Sequence, residues 1–245
     1  MKKQRLDLAL VERGLAETRS KAQSLIMARR VLVNGAYVDK AGAGVGGDDE
    51  IAVAALEHPW VGRGGMKLAH ALKEFGINVR GKVCADIGAS TGGFTDVLLQ
   101  SGAARVYAVD VGYGQLDASL RADPRVVVRE KVNARYLEPA DFEEPIEFVS
   151  IDVSFISLTL ILPAVAKFLR GELVALIKPQ FEVGKADVGK GGIVRDDAKR
   201  GAAVDGVVAF ARERGFDVKG VVESPVKGAE GNVEYLMWAT SPRPS

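Results

Sequence analysis

The sequence predicts an α/β protein: a mostly parallel sheet with helices on both faces and an antiparallel last strand, preceded by a small α+β module. Three observations lead there. From residue 67 onward, strand-like apolar runs alternate with amphipathic helical stretches. The last two strand-like runs, Val218 to Val222 and Tyr235 to Ala239, lie too close together for a crossover helix, which requires one of them to run antiparallel. The first 35 residues carry eight Lys or Arg against three acids, a charge of +5 that leaves −4 for the remainder.

In the leading module, Leu6, Leu10 and Val11 recur at helical spacing until Gly14. Ser20 and Gln23 form a capping box for a second helix, whose inner face is Ala22, Leu25 and Ile26. Val31-Leu32-Val33, Asn34-Gly35 and Ala36-Tyr37-Val38 read as strand, tight turn, strand. Gly42 to Glu50 is a glycine-rich acidic loop, and Ile51-Ala52-Val53 a last strand. The domain boundaries expected are 1–57 for this module, 58–66 for a Pro- and Gly-punctuated linker, and 67–245 for the second domain. There, Leu68, Ala71, Leu72 and Phe75 mark a helix, Val83 to Ile87 a buried strand, and Phe94 to Leu99 the next helix. Strands follow at 106–109, 126–128, 148–151 and 173–177, with helices near 115–121, 157–169 and 198–214.

Composition narrows the class. The 245 residues are 47% apolar and 27% charged, ordinary globular usage. Cys84 is the single cysteine, which excludes an intramolecular disulfide and suits a reducing, cytoplasmic setting. One cysteine and two histidines cannot assemble the usual zinc ligand sets, so no metal is expected. No apolar run approaches eighteen residues, and Met1-Lys2-Lys3-Gln4-Arg5 leads into an amphipathic pattern and not a signal core. No membrane contact is expected, and the chain reads as a monomer or weak oligomer. The basic lead suggests a polyanion-binding module, with Arg19, Lys21, Arg29 and Arg30 near its helix ends; a solvated helix face is the alternative.

After the first strand of the second domain comes Asp86-Ile87-Gly88-Ala89-Ser90-Thr91-Gly92-Gly93-Phe94. A dinucleotide fingerprint needs glycine where Ser90 stands, and a phosphate loop of the Walker type needs lysine at Phe94. Gly88, Ser90 and Gly92 match a nucleophile elbow, but both histidines precede the serine, against the order a hydrolase uses. A glycine turn remains, with Asp86 on its strand and Asp110, 22 residues past Gly88, ending the next. Asp110 is placed to bind ribose hydroxyls or to cap a helix. Asn133 either bonds adenine or forms a turn. A loop that takes a nucleoside without gripping phosphate suits S-adenosylmethionine.

Four charges converge on the same sheet edge. Asp152 ends the fourth strand, Lys178 the fifth, Glu234 begins the antiparallel last strand, and Lys67 starts the helix that leads back to the first. The chemistry suggested is methylation of a hydroxyl, with Lys178 as base, Lys67 as neighbouring cation, and Asp152 and Glu234 orienting both. Phe155 and Phe181 follow these residues and either stack a base or pack the core. Gly184 to Gly192, with Lys185 and Lys190, reads as a basic loop that covers the site and touches RNA, or as a plain surface loop.

Two resemblances follow from these residues. Arg5-Leu6-Asp7 through Val31-Leu32-Val33-Asn34-Gly35 resembles the S4 RNA-binding domain. Asp86 to Leu99, Val109 to Leu116, the Asp152 segment, Lys178-Pro179-Gln180-Phe181-Glu182 and Gly231-Asn232-Val233-Glu234-Tyr235 closely resemble the TlyA family, over nearly the whole chain. The resemblance implies a Rossmann-like, FtsJ-like methyltransferase domain behind an S4 domain. It also implies S-adenosylmethionine-dependent 2′-O-methylation of cytidine in ribosomal RNA, within ribosomal subunits. It places a Lys-Asp-Lys-Glu tetrad on Lys67, Asp152, Lys178 and Glu234, and RNA contacts on the basic residues of the module, Arg5 included. Longer members carry a further C-terminal helix, so modification of both subunits or of the large one alone stays open. Three rivals remain: an amino-group methyltransferase, whose Asp/Asn-Pro-Pro-aromatic motif is replaced by Asp152-Val153-Ser154-Phe155; a non-catalytic assembly factor; and a haemolysin, a name many members carry.

Overall fold

The computed structural model describes residues 3–27, 30–54, 58–184, 187–228 and 231–241. Arg29 and Lys185, two of the expected RNA contacts, lie outside the described residues. The chain divides into two compact units, 1–59 and 60–245.

In the first unit, strand β1 (Gln4–Arg5) leads into helices α1 (Leu6–Glu12) and α2 (Arg19–Met27), followed by β2 (Val31–Val33), β3 (Ala36–Tyr37), β4 (Gly44–Val45) and β5 (Ile51–Val53). Leu6, Ala9 and Leu10 on one face of α1 meet Ala22, Leu25 and Ile26 on α2 in a small core that also takes in Val31 and Val45. The cap of α2 differs from the sequence expectation. Arg19 is already helical, so the oxygen one turn back belongs to Thr18, whose Oγ1 accepts the Lys21 N–H at 3.1 Å; Ser20 lies inside the helix. Asn34 and Gly35 take left-handed φ values of 51° and 77°, the turn that lets β2 pair antiparallel with β3. The segment 42–50, expected as loop throughout, contributes β4, which pairs with β1 through Gln4↔Val45 and Arg5↔Gly44.

The second unit holds α3 (Gly65–Glu74), β6 (Val83–Ile87), α4 (Gly93–Gln100), β7 (Arg105–Asp110), α5 (Ala118–Ala122), β8 (Val126–Glu130), β9 (Ile146–Ile151), α6 (Leu162–Phe168), β10 (Leu169–Ile177), α7 (Pro179–Glu182), α8 (Asp197–Glu213), β11 (Asp217–Glu223) and β12 (Tyr235–Thr240). They form one seven-stranded sheet in the order β11-β12-β10-β9-β6-β7-β8. All pairs from β10 to β8 are parallel, and β12 runs antiparallel to both β10 and β11. The period of two along β10 shows why both faces carry helices. Leu173, Ala175 and Ile177 pack with Leu162, Val165, Val207 and Ala211 of α6 and α8, whereas Val174 and Leu176 belong to the cluster of α3 and α4.

Two boundaries depart from the sequence pattern. The run 157–169, read as one helix, is a 3-10 turn (Leu158–Leu160) followed by α6, and Leu169 already opens β10. The sheet register shifts between Leu169 and Glu172, and a Cβ on Gly171 would stand 2.0 Å from the Glu147 carbonyl. That close approach lets a strand begin where apolar periodicity alone continued the helix. Part of the expected linker also belongs to the second unit: Trp60 packs against Gly65, where an added Cβ would meet its ring at 2.8 Å, and the Val61 N–H donates to Asp96 at 2.8 Å. No described helix is long and apolar enough to cross a membrane.

Candidate active site

The sheet changes direction of travel between β6 and β9. From β6 the chain moves outward to β7 and β8, and from β9 it moves the other way to β10, so the carboxyl ends of β6 and β9 frame a crevice. Gly88, just past β6, and Asp152, just past β9, face each other across it. The Asp152 N–H donates to the Ile87 carbonyl at 2.9 Å. Gly88 sits at φ +86°, and a Cβ there would lie 2.3 Å from the Asp152 carbonyl oxygen. Glycine is required on both counts. Gly92 has φ +99°, and its missing Cβ would stand 2.2 Å from Leu120 Cδ1.

The acids at this edge have separate jobs. Asp110 accepts the Ser90 N–H at 2.8 Å and the Gly112 N–H at 2.7 Å, tying the glycine turn to the loop after β7. Ser90 holds a left-handed φ of 49° in that turn. Asp86 is wholly buried and lies outside the cavity lining, its carboxylate accepting Thr95 Oγ1 at 2.7 Å and Ser150 Oγ at 2.9 Å. Burial pushes its pKa up to about 7; the two hydroxyl bonds oppose the rise and the charge of Asp152 adds to it. Asp86 therefore fixes β6 to β9 and α4 beneath the crevice. Asn133 is exposed and caps a short 3-10 turn by accepting the Arg135 N–H at 3.1 Å.

A cavity of about 480 Å³ opens at the crevice. Lys67, Asp152, Lys178 and Glu234 all line it, beside Gly88, Ser90, Gly93 and Phe94 of the glycine turn; Gly92 and Asp110 are not among its lining residues. The four charges form two ion pairs. Lys67 Nζ lies 2.6 Å from Glu234 Oε2, with side chains 11% and 3% exposed, and Lys178 Nζ lies 2.6 Å from Asp152 Oδ1. Each ammonium is buried only because a carboxylate comes with it. Lys178 also donates to Ser154 Oγ at 2.9 Å. Glu234 is seated against Gly228, where a Cβ would stand 2.4 Å from Oε1.

Lining residues not singled out by sequence reasoning include Arg63, Thr91, Ser154, Gln180 and Asn232. Asn232 is buried, donates Nδ2 to the Gly192 carbonyl at 2.8 Å and accepts the Val194 N–H at 3.0 Å. It thereby holds one end of the glycine-rich loop at the cavity wall. Its neighbours Gly231 and Glu234 were the available signal, since a buried asparagine needs backbone partners. Lys190 is exposed in that loop beside Gly191 and Gly192, both at positive φ. Phe155 is 90% exposed at φ +63°, its ring 5.2 Å from that of Phe181. Glu182, raised in pKa by burial, accepts from Ser157 and the Leu158 N–H and steadies the chain beyond Phe155.

In the first unit, Arg5 and Arg19 both bond Asp7, and Lys21 is exposed on α2. Arg30 turns back to the Ala54 carbonyl at 2.7 Å and is partly buried.

A glycine turn at the switch of a seven-stranded sheet with a reversed last strand, facing a buried carboxylate-lysine pair, defines a methyltransferase. Residues 60–241 match the FtsJ-like methyltransferase family and residues 4–51 match the S4 domain; the chain belongs to the FtsJ-like methyltransferase family. It is 48% identical over 237 residues to the 16S/23S rRNA (cytidine-2′-O)-methyltransferase TlyA of Mycobacterium tuberculosis, covering 96% of this chain and 88% of that one. Hemolysin A of Brachyspira hyodysenteriae is 46% identical over 95% of this chain and 98% of its own. A solved structure from Streptococcus thermophilus, named as a hemolysin, superposes with a TM-score of 0.78 at 47% identity, covering 99% of this chain and 90% of that one.

Proposed function

We propose that the protein uses S-adenosylmethionine to methylate the ribose 2′-hydroxyl of a cytidine in ribosomal RNA, with the four charges of the cavity as its reactive centre. The observation that carries this reading is the pair of ion pairs, Lys178–Asp152 and Lys67–Glu234, in one cavity with the glycine turn.

The residues present fit the cofactor. The turn carries no lysine or arginine to grip a phosphate, and the volume is that of a small-molecule site. Gly88, Ser90, Gly93 and Phe94 would hold it, with Asp110 accepting from its ribose and Val111, 74% exposed next to Asp110, covering its base. When bound, S-adenosylmethionine supplies an electrophilic methyl on a sulfonium.

A ribose hydroxyl needs its proton removed as the new O–C bond forms. Lys178, once its ammonium has passed a proton to solvent, accepts that proton at Nζ, which the ion pair with Asp152 and the hydrogen bond to Ser154 Oγ hold in place. Lys67 keeps a positive charge near the oxygen as its proton leaves, and Glu234 keeps Lys67 in place. Phe155, exposed and left-handed, stacks the target base: a non-glycine residue held there costs roughly 1–2 kcal/mol, a strain found at functional sites. The amino-group rival has no use for Lys178, and an assembly factor none for the buried pairs. The TlyA name of the Mycobacterium relative and the S4 match support ribosomal RNA as the substrate.

The test is methyl transfer from labelled S-adenosylmethionine to unmodified 30S and 50S subunits, followed by alkaline digestion. A labelled alkali-resistant dinucleotide is expected. Label in mononucleotides places the chemistry on a base, and no label in either subunit removes ribosomal RNA as substrate.

A further inference from the structure

One side chain joins the loop before α8 to the chain that enters β12. Gly189 donates its N–H to the Ile193 carbonyl at 3.1 Å and accepts the Gly192 N–H at 3.1 Å, so 189–193 is a closed turn. Gly191 and Gly192 hold φ values of 80° and 76° in it, which glycine adopts without strain, and Gly192 lines the cavity. The Asn232 carboxamide donates Nδ2 to the Gly192 carbonyl at 2.8 Å and accepts the Val194 N–H on Oδ1 at 3.0 Å. The main chain of the same residue holds a second turn. Its carbonyl accepts the Gly228 N–H at 2.9 Å, and Gly228 is the surface against which Glu234 is seated.

We infer that Asn232 is a positioning residue for methyl transfer: it ties the wall turn 189–193 to the turn that seats Glu234, so the Lys67–Glu234 pair keeps its place only while the wall turn is docked. This rests on the methyl-transfer reading above and names the residue through which two turns act on its reactive centre. Three features favour it over a plain structural tie. The chain at Val194 has anchors of its own: its side chain is buried, Arg200 Nη1 donates to the Val194 and Arg195 carbonyls at 3.1 and 3.0 Å, and Asp196 caps α8. The start of α8 therefore does not depend on Asn232. Gly192 does depend on it, because it has no side chain to pack and must be held at the cavity by its backbone. Asn232 is also only 1% exposed, so undocking the turn would leave a buried donor and a buried acceptor without partners, and the docked turn is the arrangement that satisfies both. Lastly, Asn232 and Glu234 stand two residues apart and both line the cavity, with Glu234 at 2.6 Å from Lys67, so a shift of Asn232 passes directly to the ion pair.

The test compares Asn232→Ala and Asn232→Asp with the wild-type full chain. Single-turnover methyl transfer to unmodified 30S and 50S subunits is measured with cofactor and subunits saturating. Cofactor affinity, thermal unfolding and hydrogen exchange at the Val194 amide are measured alongside. Asn232→Ala removes both bonds, and its Val194 amide should exchange roughly tenfold faster or more while the amides of β10 exchange as in the wild type. Its single-turnover rate should fall roughly tenfold or more, with cofactor affinity within about twofold of the wild type. Asn232→Asp keeps the acceptor for Val194 and loses the donor to Gly192, so its Val194 amide should stay protected while its rate falls as far as that of the alanine variant. A purely structural tie would move rate and protection together. Wild-type rate in a folded Asn232→Ala protein whose Val194 amide has lost protection overturns the inference, and wild-type rate in Asn232→Asp overturns it even if the alanine variant does not fold. A wild type that binds cofactor but labels neither subunit overturns the ribosomal-RNA reading, and this inference with it. A wild type that labels a subunit beside variants equally fast overturns the role of Asn232 alone.

Discussion

Replacing Gly88 with alanine tests whether the crossing of β6 and β9 sets the reactive geometry. The added Cβ would stand 2.3 Å from the Asp152 carbonyl oxygen, where ordinary contact begins at 3.4 Å, so one of the two backbones must retreat by about 1 Å. Alanine at φ +86° adds roughly 1–2 kcal/mol of conformational cost. Retreat of the Asp152 loop moves the carboxylate that holds Lys178 at 2.6 Å and lengthens the Asp152 N–H bond to Ile87, now 2.9 Å. A misplacement of this size costs on the order of 10²-fold in rate. Gly88→Ala should therefore lose about 2–5 kcal/mol of stability in a denaturant titration, the conformational cost plus overpacking, and about 10²-fold in single-turnover methyl transfer under conditions where it remains folded. Wild-type single-turnover rate and cofactor affinity in a folded Gly88→Ala protein would refute the reasoning, because the crevice would then tolerate the displacement that the contact demands.

Lys178→Ala should reduce methyl transfer by roughly 10²–10⁴-fold while cofactor binding by calorimetry stays within about twofold; retained turnover removes Lys178 as the base. Asp86 gives a pH signature. Its folded pKa, about 7, stands above the ordinary 3.8, so its contribution to stability is fully present below pH 3.8 and is lost as pH rises to about 7. Urea titrations should show Asp86→Asn gaining on the wild type between those limits and running parallel to it above them; a constant difference across the range contradicts the assignment. Phe155→Gly relieves a left-handed φ of 63° on an exposed ring, and should raise stability by about 1 kcal/mol while raising the KM for RNA; lower stability would mean the ring packs more than its exposure shows.

The tetrad was legible in sequence because topology did the work of geometry. Asp152 and Lys178 each follow a parallel strand, and a reversed β12 necessarily brings its first residues, with Glu234 before them, to that same edge. Pattern reading could say that the four charges share an edge. It could not say which lysine pairs with which acid, because that depends on Gly228 seating Glu234 against α3 and on a Ser154 that looks like any loop serine. The same limit explains Asp86 and Asp110. Both are acids at strand positions beside a glycine turn, yet Asp86 points into a sheet face filled by Thr95 and Ser150, while Asp110 sits one step beyond the buried part of β7 and meets the turn. Side-chain period does not separate them, since Asp86 shares its face with Cys84 and Asp110 shares its own with Val106 and Ala108, all in the cluster of α3 and α4; what separates them is that Asp86 lies inside its strand and Asp110 at the end of its own. In the first unit, charge counting treated the arginines as equivalent. Asp7 divides them, since Arg5 and Arg19 bond its carboxylate while Arg30 goes to the backbone, and no net charge can register a carboxylate that is buried in the core.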